Sequence, residues 1–235
     1  MQDLTMVKND PSTEKGEQTR RHIFNCALKL FREKGFDATT MLDIANEAKV
    51  VKSAAYYYFR SKEAIIQGYY EMVQAEQERI CAEAFAETVD LKKRITTAMF
   101  SKLDLAREDR GLLGVVFRYT GEPQHPLSCL GKATEPIRRR SIGIFEQAIA
   151  QEKMPKEIRQ LLPLALWSLQ MGLLVMFFYD ESPGQQRTRR LAEGALGLTL
   201  KLLTLAKLPL LKPILAKVLA LLHDAELVAE AETAS

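Results

Sequence analysis

Few side chains suited to covalent or metal chemistry occur in this chain of 235 residues. It has three cysteines and three histidines. No two cysteines form a CxxC pair, and the histidines lie too far apart in sequence for metal-ligand spacing. The sequence also lacks a glycine-rich phosphate loop and a nucleophile elbow. We therefore expect no metal site, no cofactor and no enzymatic activity.

The odd number of cysteines bears on the cellular compartment. Cys26, Cys81 and Cys129 do not form an even set for disulfides. The first residues are polar and acidic, unlike those of a signal peptide. Both features predict a reduced, cytoplasmic protein. A redox-sensing cysteine is a weaker alternative.

One long segment lacks charge altogether. Residues 161–179, LLPLALWSLQMGLLVMFFY, are about as long as a membrane span. They nevertheless contain Pro163, Ser168, Gln170 and Gly172, and no second span of similar purity follows. A helix that is apolar on all sides also occurs in the centre of a bundle or a dimer. We therefore expect a buried helix and no membrane partner, with a membrane-associated module as the weaker alternative.

Residues 35–63 contain two short predicted helices between clear start and stop signals. Thr40 is predicted to cap the first, because Asp43 three residues later completes a capping box. A turn at residues 49–50 separates this helix from a second one at 52–59. Two short helices joined by a turn of about 3–4 residues form a helix-turn-helix, which places one helix in the major groove of DNA.

Positive charge is concentrated in the same part of the chain. Residues 20–62 contain nine lysines and arginines against four acidic residues, a net charge of +5, whereas the whole chain carries +3. Contacts between basic side chains and phosphates provide much of the affinity for DNA. A solvated basic face would show the same excess, so the charge alone does not decide the function.

Residues 19–70 resemble the N-terminal domain of the TetR family of bacterial transcriptional regulators. The resemblance depends on a helix that ends in LFREKGF, then ATTMLDIANEA, then KSAAYYYFRSKE. Two positions depart from the family pattern, which usually has glycine at Lys49 and often serine or threonine at Val51. A lysine in a left-handed turn and a helix without a side-chain cap each cost about 1 kcal/mol.

The resemblance implies an all-α fold, in which an N-terminal three-helix helix-turn-helix domain is joined by a long helix to a C-terminal helical bundle for dimerisation and ligand binding. We predict a disordered arm at 1–16 and the DNA-binding domain at 17–77, with its helix-turn-helix motif at 40–59. The C-terminal domain is predicted at 78–230. It includes an additional helix after Pro209.

Two sets of contacts with a double-stranded DNA operator follow from the resemblance. Hydroxyl groups and helix N-termini are suitable phosphate partners. The predicted phosphate contacts are Thr40, Tyr57, Tyr58 and Lys62. Side chains at the start of the second short helix would meet base edges in the major groove. The predicted base contacts are Lys52, Ser53, Ala54 and Tyr56. Phe59 is expected in the core instead.

The resemblance also implies a homodimer, in which helices at 158–179 and 186–207 pair with those of a second copy. Such a dimer would read a palindromic operator, most simply as a repressor. An apolar or amphipathic small molecule bound in the C-terminal bundle would release the DNA. Large apolar side chains are candidates for lining its pocket, although core packing is the simpler explanation for each. These candidates are Phe100, Leu103, Phe117, Phe145, Trp167, Met171 and Phe178.

Two alternatives stay open at this point. A regulator of this family can activate transcription as well as repress it. A helical interaction module without DNA binding would retain its function after the loss of residues 40–62.

Overall fold

The computed structural model describes residues 13–206 and 212–224, and every regular element within these ranges is helical. The α-helices are α1 (Glu14–Lys34), α2 (Met41–Glu47), α3 (Lys52–Tyr58), α4 (Lys62–Glu87), α5 (Leu91–Leu105), α6 (Arg110–Phe117), α7 (Glu135–Ile149), α8 (Lys156–Tyr179), α9 (Gln186–Ala206) and α10 (Lys212–Asp224). Short 3-10 helices occupy Arg118–Gly121 and Pro183–Gln185. The predicted all-α fold is confirmed.

The first of two compact units contains the described residues up to Glu71 together with Gly111–Thr134. Its core begins with the apolar stripe of α1. Ile23 and Phe31, two turns apart, are both buried, because residues eight apart share one face of a helix. The Phe31 ring lies 5.2 Å from that of Phe36, just beyond the end of α1. This core holds α1 and α2 together.

The second unit contains residues 72–110 and the described residues from 135 onward. An apolar cluster in this unit is formed by α5, α7, α8 and α9, together with Cys81 of α4. Met99, Phe145 and Trp167 are buried within it. Pro163 lies inside α8 and is itself buried. α4 begins in the first unit and ends in the second.

Residues 111–134 group with the first unit, whereas the predicted domain boundary placed them in the C-terminal domain. Long-range side-chain contacts account for the difference. Arg118 forms an ion pair with Asp37, and the Tyr119 hydroxyl donates to the same carboxylate at 3.2 Å. The Gln67 side-chain amide donates to the Pro126 carbonyl at 2.8 Å. These partners are 59–82 residues apart, so no local sequence pattern indicates them.

Most residues of the two chain termini lie outside the described ranges. α1 begins at Glu14, capped by the Thr13 side chain, so the predicted arm at 1–16 overlaps the first turn of this helix. Its first twelve residues lie outside the described residues. The predicted additional helix after Pro209 corresponds to α10.

α8 contains the uncharged segment 161–179. Among the described helices it is the one long and apolar enough to cross a membrane, and half of its apolar window is buried inside the protein. Leu166, Gln170 and Phe177 on α8 are all within 1% of complete burial. This burial is typical of the core helix of a bundle and agrees with the prediction of a buried helix.

Candidate nucleic-acid interface

The N-terminus of α2 is fixed by a reciprocal cap. The Asp43 N–H donates to the Thr40 hydroxyl at 3.1 Å, and the Thr40 N–H donates to the Asp43 carboxylate at 2.8 Å. The Thr40 hydroxyl also donates to this carboxylate, which holds the pKa of Asp43 below its ordinary value. The predicted capping box is confirmed. Thr40 is exposed, as a phosphate contact requires.

The turn between α2 and α3 is made without glycine. Lys49 has a positive φ of 54°, the left-handed conformation that the sequence predicted. The Val50 N–H donates to the Ala45 carbonyl at 3.0 Å and closes the turn. Val51 then occupies the N-cap of α3 without a side-chain hydrogen bond. Both departures from the family pattern are therefore accommodated by the backbone, at the local cost expected for each.

α3 has one buried side and one exposed side. Ala55 is fully buried against the first unit, whereas Lys52, Ser53, Tyr56 and Tyr57 are exposed. Positions three and four residues apart lie close together on a helix, so these four side chains form a single accessible surface. The Lys52 ammonium lies 5.8 Å from the centre of the Tyr56 ring. Ala54 and Tyr58 are half-buried at the edges of this accessible surface.

Phe59 ends α3 and anchors it. Its side chain is only 3% exposed. The ring stacks on Phe24 with 6.2 Å between centroids, and the Arg20 guanidinium lies 4.9 Å from the Phe59 ring centre. The prediction that Phe59 belongs to the core is confirmed. α3 is thereby attached to α1 at its C-terminal end.

Lys62, a predicted phosphate contact, is half-buried, and its ammonium has partners within the protein. Its ammonium donates to the backbone carbonyls of Phe36, Asp37 and Thr39 at 2.8, 3.3 and 3.4 Å. It also lies 4.4 Å from the centre of the Phe36 ring. Lys62 therefore holds the turn that leads into α2. Its phosphate contact stays a prediction that would require this ammonium to exchange partners.

Two further basic residues beside α3 were missed by the sequence reasoning. Lys49 and Arg60 are exposed immediately before and after this helix. Together with Lys52 they place three cations around α3. The local excess of positive charge includes both residues. A charge count alone, however, does not distinguish Lys49 and Arg60 from Lys29, whose ammonium is paired with the Glu47 carboxylate at 2.7 Å.

Comparison with known proteins agrees with this geometry. Residues 23–69 match the family described as bacterial regulatory proteins, tetR family. Residues 94–221, more than half of the chain, match the family described as tetracyclin repressor-like, C-terminal domain. The chain belongs to the TetR family.

Individual members show how far the similarity extends. The HTH-type transcriptional regulator HbdR of Aromatoleum sp. (strain CIB) is 32% identical over 131 residues, which cover 48% of this chain and 57% of HbdR. IcaR of Staphylococcus aureus (strain Newman), a negative transcriptional regulator of the biofilm operon icaADBC, is 44% identical over 45 residues, or 19% of this chain and 24% of IcaR. The chain thus spans little more than half the length of HbdR and about a quarter of IcaR.

A solved structure extends the likeness in fold to most of this TetR-family chain. The transcriptional regulator FadR from Bacillus subtilis, in complex with stearoyl-CoA, superposes with a TM-score of 0.57. The match covers 76% of this chain and 96% of FadR at 19% sequence identity. At this identity the likeness concerns the fold.

The predicted effector-pocket residues are distributed over both units. Leu103 and Phe145 are completely buried, and Trp167 and Phe178 are nearly so. Phe100 and Met171 are partly buried against the core of the second unit. Phe117 belongs to the first unit, because the chain from Gly111 to Thr134 groups with the helix-turn-helix. Most of these side chains therefore pack in the core, as expected from the simpler explanation for large apolar residues.

The core of the second unit also contains buried polar side chains that were not predicted from the sequence. Gln74, Gln77, Lys102 and Gln170 are all buried in the second unit. The sequence offered no signal for them, since α4 and α5 also carry many exposed polar residues. Among the described residues, no group of acidic, histidine or cysteine side chains has an arrangement that could hold a metal ion.

Proposed function

We propose that this protein is a cytoplasmic, non-enzymatic transcriptional regulator that binds a palindromic DNA operator as a homodimer and represses transcription. The observation that carries the proposal is the exposed surface of α3. Lys52, Ser53, Tyr56 and Tyr57 lie on it, while Ala55 and Phe59 fix the helix from behind. A helix held in this way can enter the major groove without reorganisation of its own backbone.

The chemistry of the exposed side chains supports separate roles. A lysine at the first turn of α3 reaches the guanine acceptors O6 and N7, and Tyr56 beside it can meet a thymine methyl group. Tyr57 is half exposed and offers a hydroxyl donor for a phosphate. Thr40 adds a hydroxyl at the start of α2. To donate to a phosphate, this hydroxyl would have to release the Asp43 carboxylate, to which it now donates.

Exposed apolar stripes on α8 and α9 support the homodimer. On α9, Leu191, Leu198 and Leu205 recur every seven residues, and each is about half exposed. On α8, Ala165, Ser168 and Gly172 are exposed and small, so they would allow another helix to approach closely. Burial of one leucine contributes about 1.5–3 kcal/mol, so a second copy that covers both stripes would gain considerable stability.

Release of DNA is the second part of the proposal. A small molecule with an apolar portion, bound in the second unit, would favour a conformation with lower DNA affinity. Such a molecule shifts the equilibrium only if it binds that conformation more tightly. FadR, a regulator of the same fold, holds stearoyl-CoA, which supports an effector with an apolar chain.

Binding to the DNA upstream of this gene and of its neighbours tests the proposal. Fluorescence anisotropy at several salt concentrations should show specific binding that weakens with salt, because phosphate contacts release counterions. Lys52→Ala should lower the affinity for the specific site by about 1–3 kcal/mol. Tyr57→Phe, which removes only the hydroxyl, should weaken binding to all sequences.

Lys92→Ala is the matched control for Lys52→Ala. Lys92 is also exposed but lies in the first turn of α5, in the second unit. The Lys92→Ala variant should bind DNA with the same affinity as the unaltered protein. Equal losses in the Lys52 and Lys92 variants would mean that overall charge, and not the surface of α3, is responsible.

A further inference from the structure

The interior of the second unit contains a cluster of buried polar side chains from three helices. Gln74 and Gln77 lie on α4, Lys102 on α5 and Gln170 on α8. The three glutamines are completely buried, and Lys102 is 9% exposed. Buried polar groups are normally hydrogen-bonded in full, so each unpaired atom among them requires an explanation.

Two of the side-chain amides converge on one backbone carbonyl. The Ala98 carbonyl accepts from the Gln77 amide at 2.9 Å and from the Gln170 amide at 2.8 Å. This fixes both orientations, because rotating either amide by 180° would place its oxygen against the carbonyl oxygen. The side-chain oxygens of Gln77 and Gln170 are left buried without a hydrogen-bond partner.

Lys102 lies one turn beyond Ala98 on α5. Its ammonium donates to the Gln74 side-chain oxygen at 2.8 Å, the one acceptor that the described residues provide. An ammonium has three donors, so two of them lack a protein partner. A buried charge held by a single neutral acceptor is costly unless an opposite charge is supplied.

The nearest acidic group is already engaged. The Gln74 amide donates to Glu78 at 3.1 Å, and Arg140 on α7 donates to both oxygens of that carboxylate at 2.8 Å. Glu78 is therefore held by Arg140 and Gln74, and Lys102 has no hydrogen bond to this carboxylate. Burial lowers the pKa of Lys102 to about 8, so it is still mostly charged at pH 7.

We propose that this cluster is a binding site for an organic monoanion, whose carboxylate pairs with the Lys102 ammonium and whose apolar body lies among the surrounding core side chains. The ligand supplies an opposite charge for the Lys102 ammonium, whose acceptor within the described residues is the neutral Gln74 side chain. The Gln77 and Gln170 oxygens accept hydrogen bonds from a donor on the ligand or from water carried in with it. This proposal deepens the proposed function, on which it rests for the effector role, by naming the chemical class of the effector.

A series of ligands with one body and three head groups tests the charge requirement. Alkyl carboxylates of six to eighteen carbons are compared with alcohols and amines of equal length by thermal shift and calorimetry at pH 7. At least one carboxylate should raise the unfolding temperature and bind at least tenfold more tightly than its matched alcohol. The amine should not bind. Equal binding of alcohol and carboxylate, or no binding by any carboxylate, overturns the proposal.

Variants at Lys102 test the residue itself. Lys102→Met should lose the preference for carboxylate over alcohol, whereas Lys92→Met, on the same helix but exposed, should keep it. Lys102→Arg retains the charge and should retain the preference. If Lys102→Met does not fold, the Arg variant and the head-group series on the unaltered protein still decide the question. Retained preference in a folded Lys102→Met variant overturns the assignment.

The two proposals can fail separately, because ligand binding is measured without DNA. A carboxylate that binds through Lys102 but leaves DNA affinity unchanged supports this site and refutes effector release. DNA that is released by an alcohol or an amine, with no Lys102-dependent carboxylate binding, supports effector release and refutes this site.

Discussion

The buried lysine leads to a stability prediction that requires neither ligand nor DNA. The pKa of Lys102 is lowered from its ordinary 10.5 to about 8 by burial. One pKa unit corresponds to 1.36 kcal/mol, so the difference of about 2.5 units amounts to about 3 kcal/mol. Between pH 8 and pH 10.5 the unfolded chain holds a proton on Lys102 that the folded protein has lost. Stability contributed by this group therefore rises with pH in that window.

Replacing Lys102 with methionine removes this dependence. Relative to the variant, the unaltered protein should gain about 3 kcal/mol of unfolding free energy between pH 7 and pH 10.5, with most of the gain above pH 8. The comparison matters more than the absolute stability at pH 7, because methionine removes the buried charge but also leaves the Gln74 oxygen without its donor. Urea unfolding followed by circular dichroism at pH 7, 8.5 and 10 measures the difference.

Neighbouring groups define the controls. Cys81 on α4 faces the same cluster, and burial raises the pKa of its thiol, so the comparison is repeated in a Cys81→Ala background. Glu78 stays ionised throughout the range, because its hydrogen bonds with Arg140 lower the pKa of its carboxyl below the ordinary value. Lys92→Met should differ from the unaltered protein by a constant amount. A difference between Lys102→Met and the unaltered protein that does not change with pH would refute the reasoning, since it would mean that the lysine is not buried as an ammonium.

Three other predictions concern the helix-turn-helix and the dimer. Val51→Ser should raise the unfolding free energy by about 1 kcal/mol by capping α3, and the same gain in Val51→Ala would contradict this cause. Asp43→Ala should lower it by about 1 kcal/mol through loss of the capping box, and unchanged urea unfolding would argue against that role. If the protein is the proposed homodimer, Leu198→Glu should yield monomers in sedimentation equilibrium, whereas Leu221→Glu on the exposed side of α10 should not. A dimer that survives Leu198→Glu would place the interface elsewhere, and dissociation by both substitutions would mean that the effect is not specific to α9.

Much of the DNA-binding segment could be predicted because its determinants are local. The cap at Thr40 depends on a residue three positions away, and the turn at Lys49 is closed by bonds across three to five residues. Even the departures at Lys49 and Val51 were visible as unusual residues in known positions. The buried position of Phe59 followed from the apolar pattern and the family resemblance together.

The roles of Lys62 and Lys102 could not be predicted in the same way. Lys62 is the first residue of α4, and Lys102 lies in the last turn of α5. A lysine ammonium is ordinarily exposed at such positions. Lys62 instead donates to carbonyls 23–26 residues away, and Lys102 reaches a glutamine 28 residues away. Whether such a group is exposed depends on which helices pack around it, and hydrophobic periodicity does not contain this information.

The sequence by itself determined the family, the all-α fold and the positions of α2, the turn and α3, because capping, turn geometry and amphipathic spacing act over a few residues. The tertiary structure decided which lysines are exposed, which unit contains residues 111–134, and that a lysine and two unpaired amide oxygens lie buried in the second unit. These outcomes depend on burial and on partners distant in sequence. Such partners meet only when the helices pack.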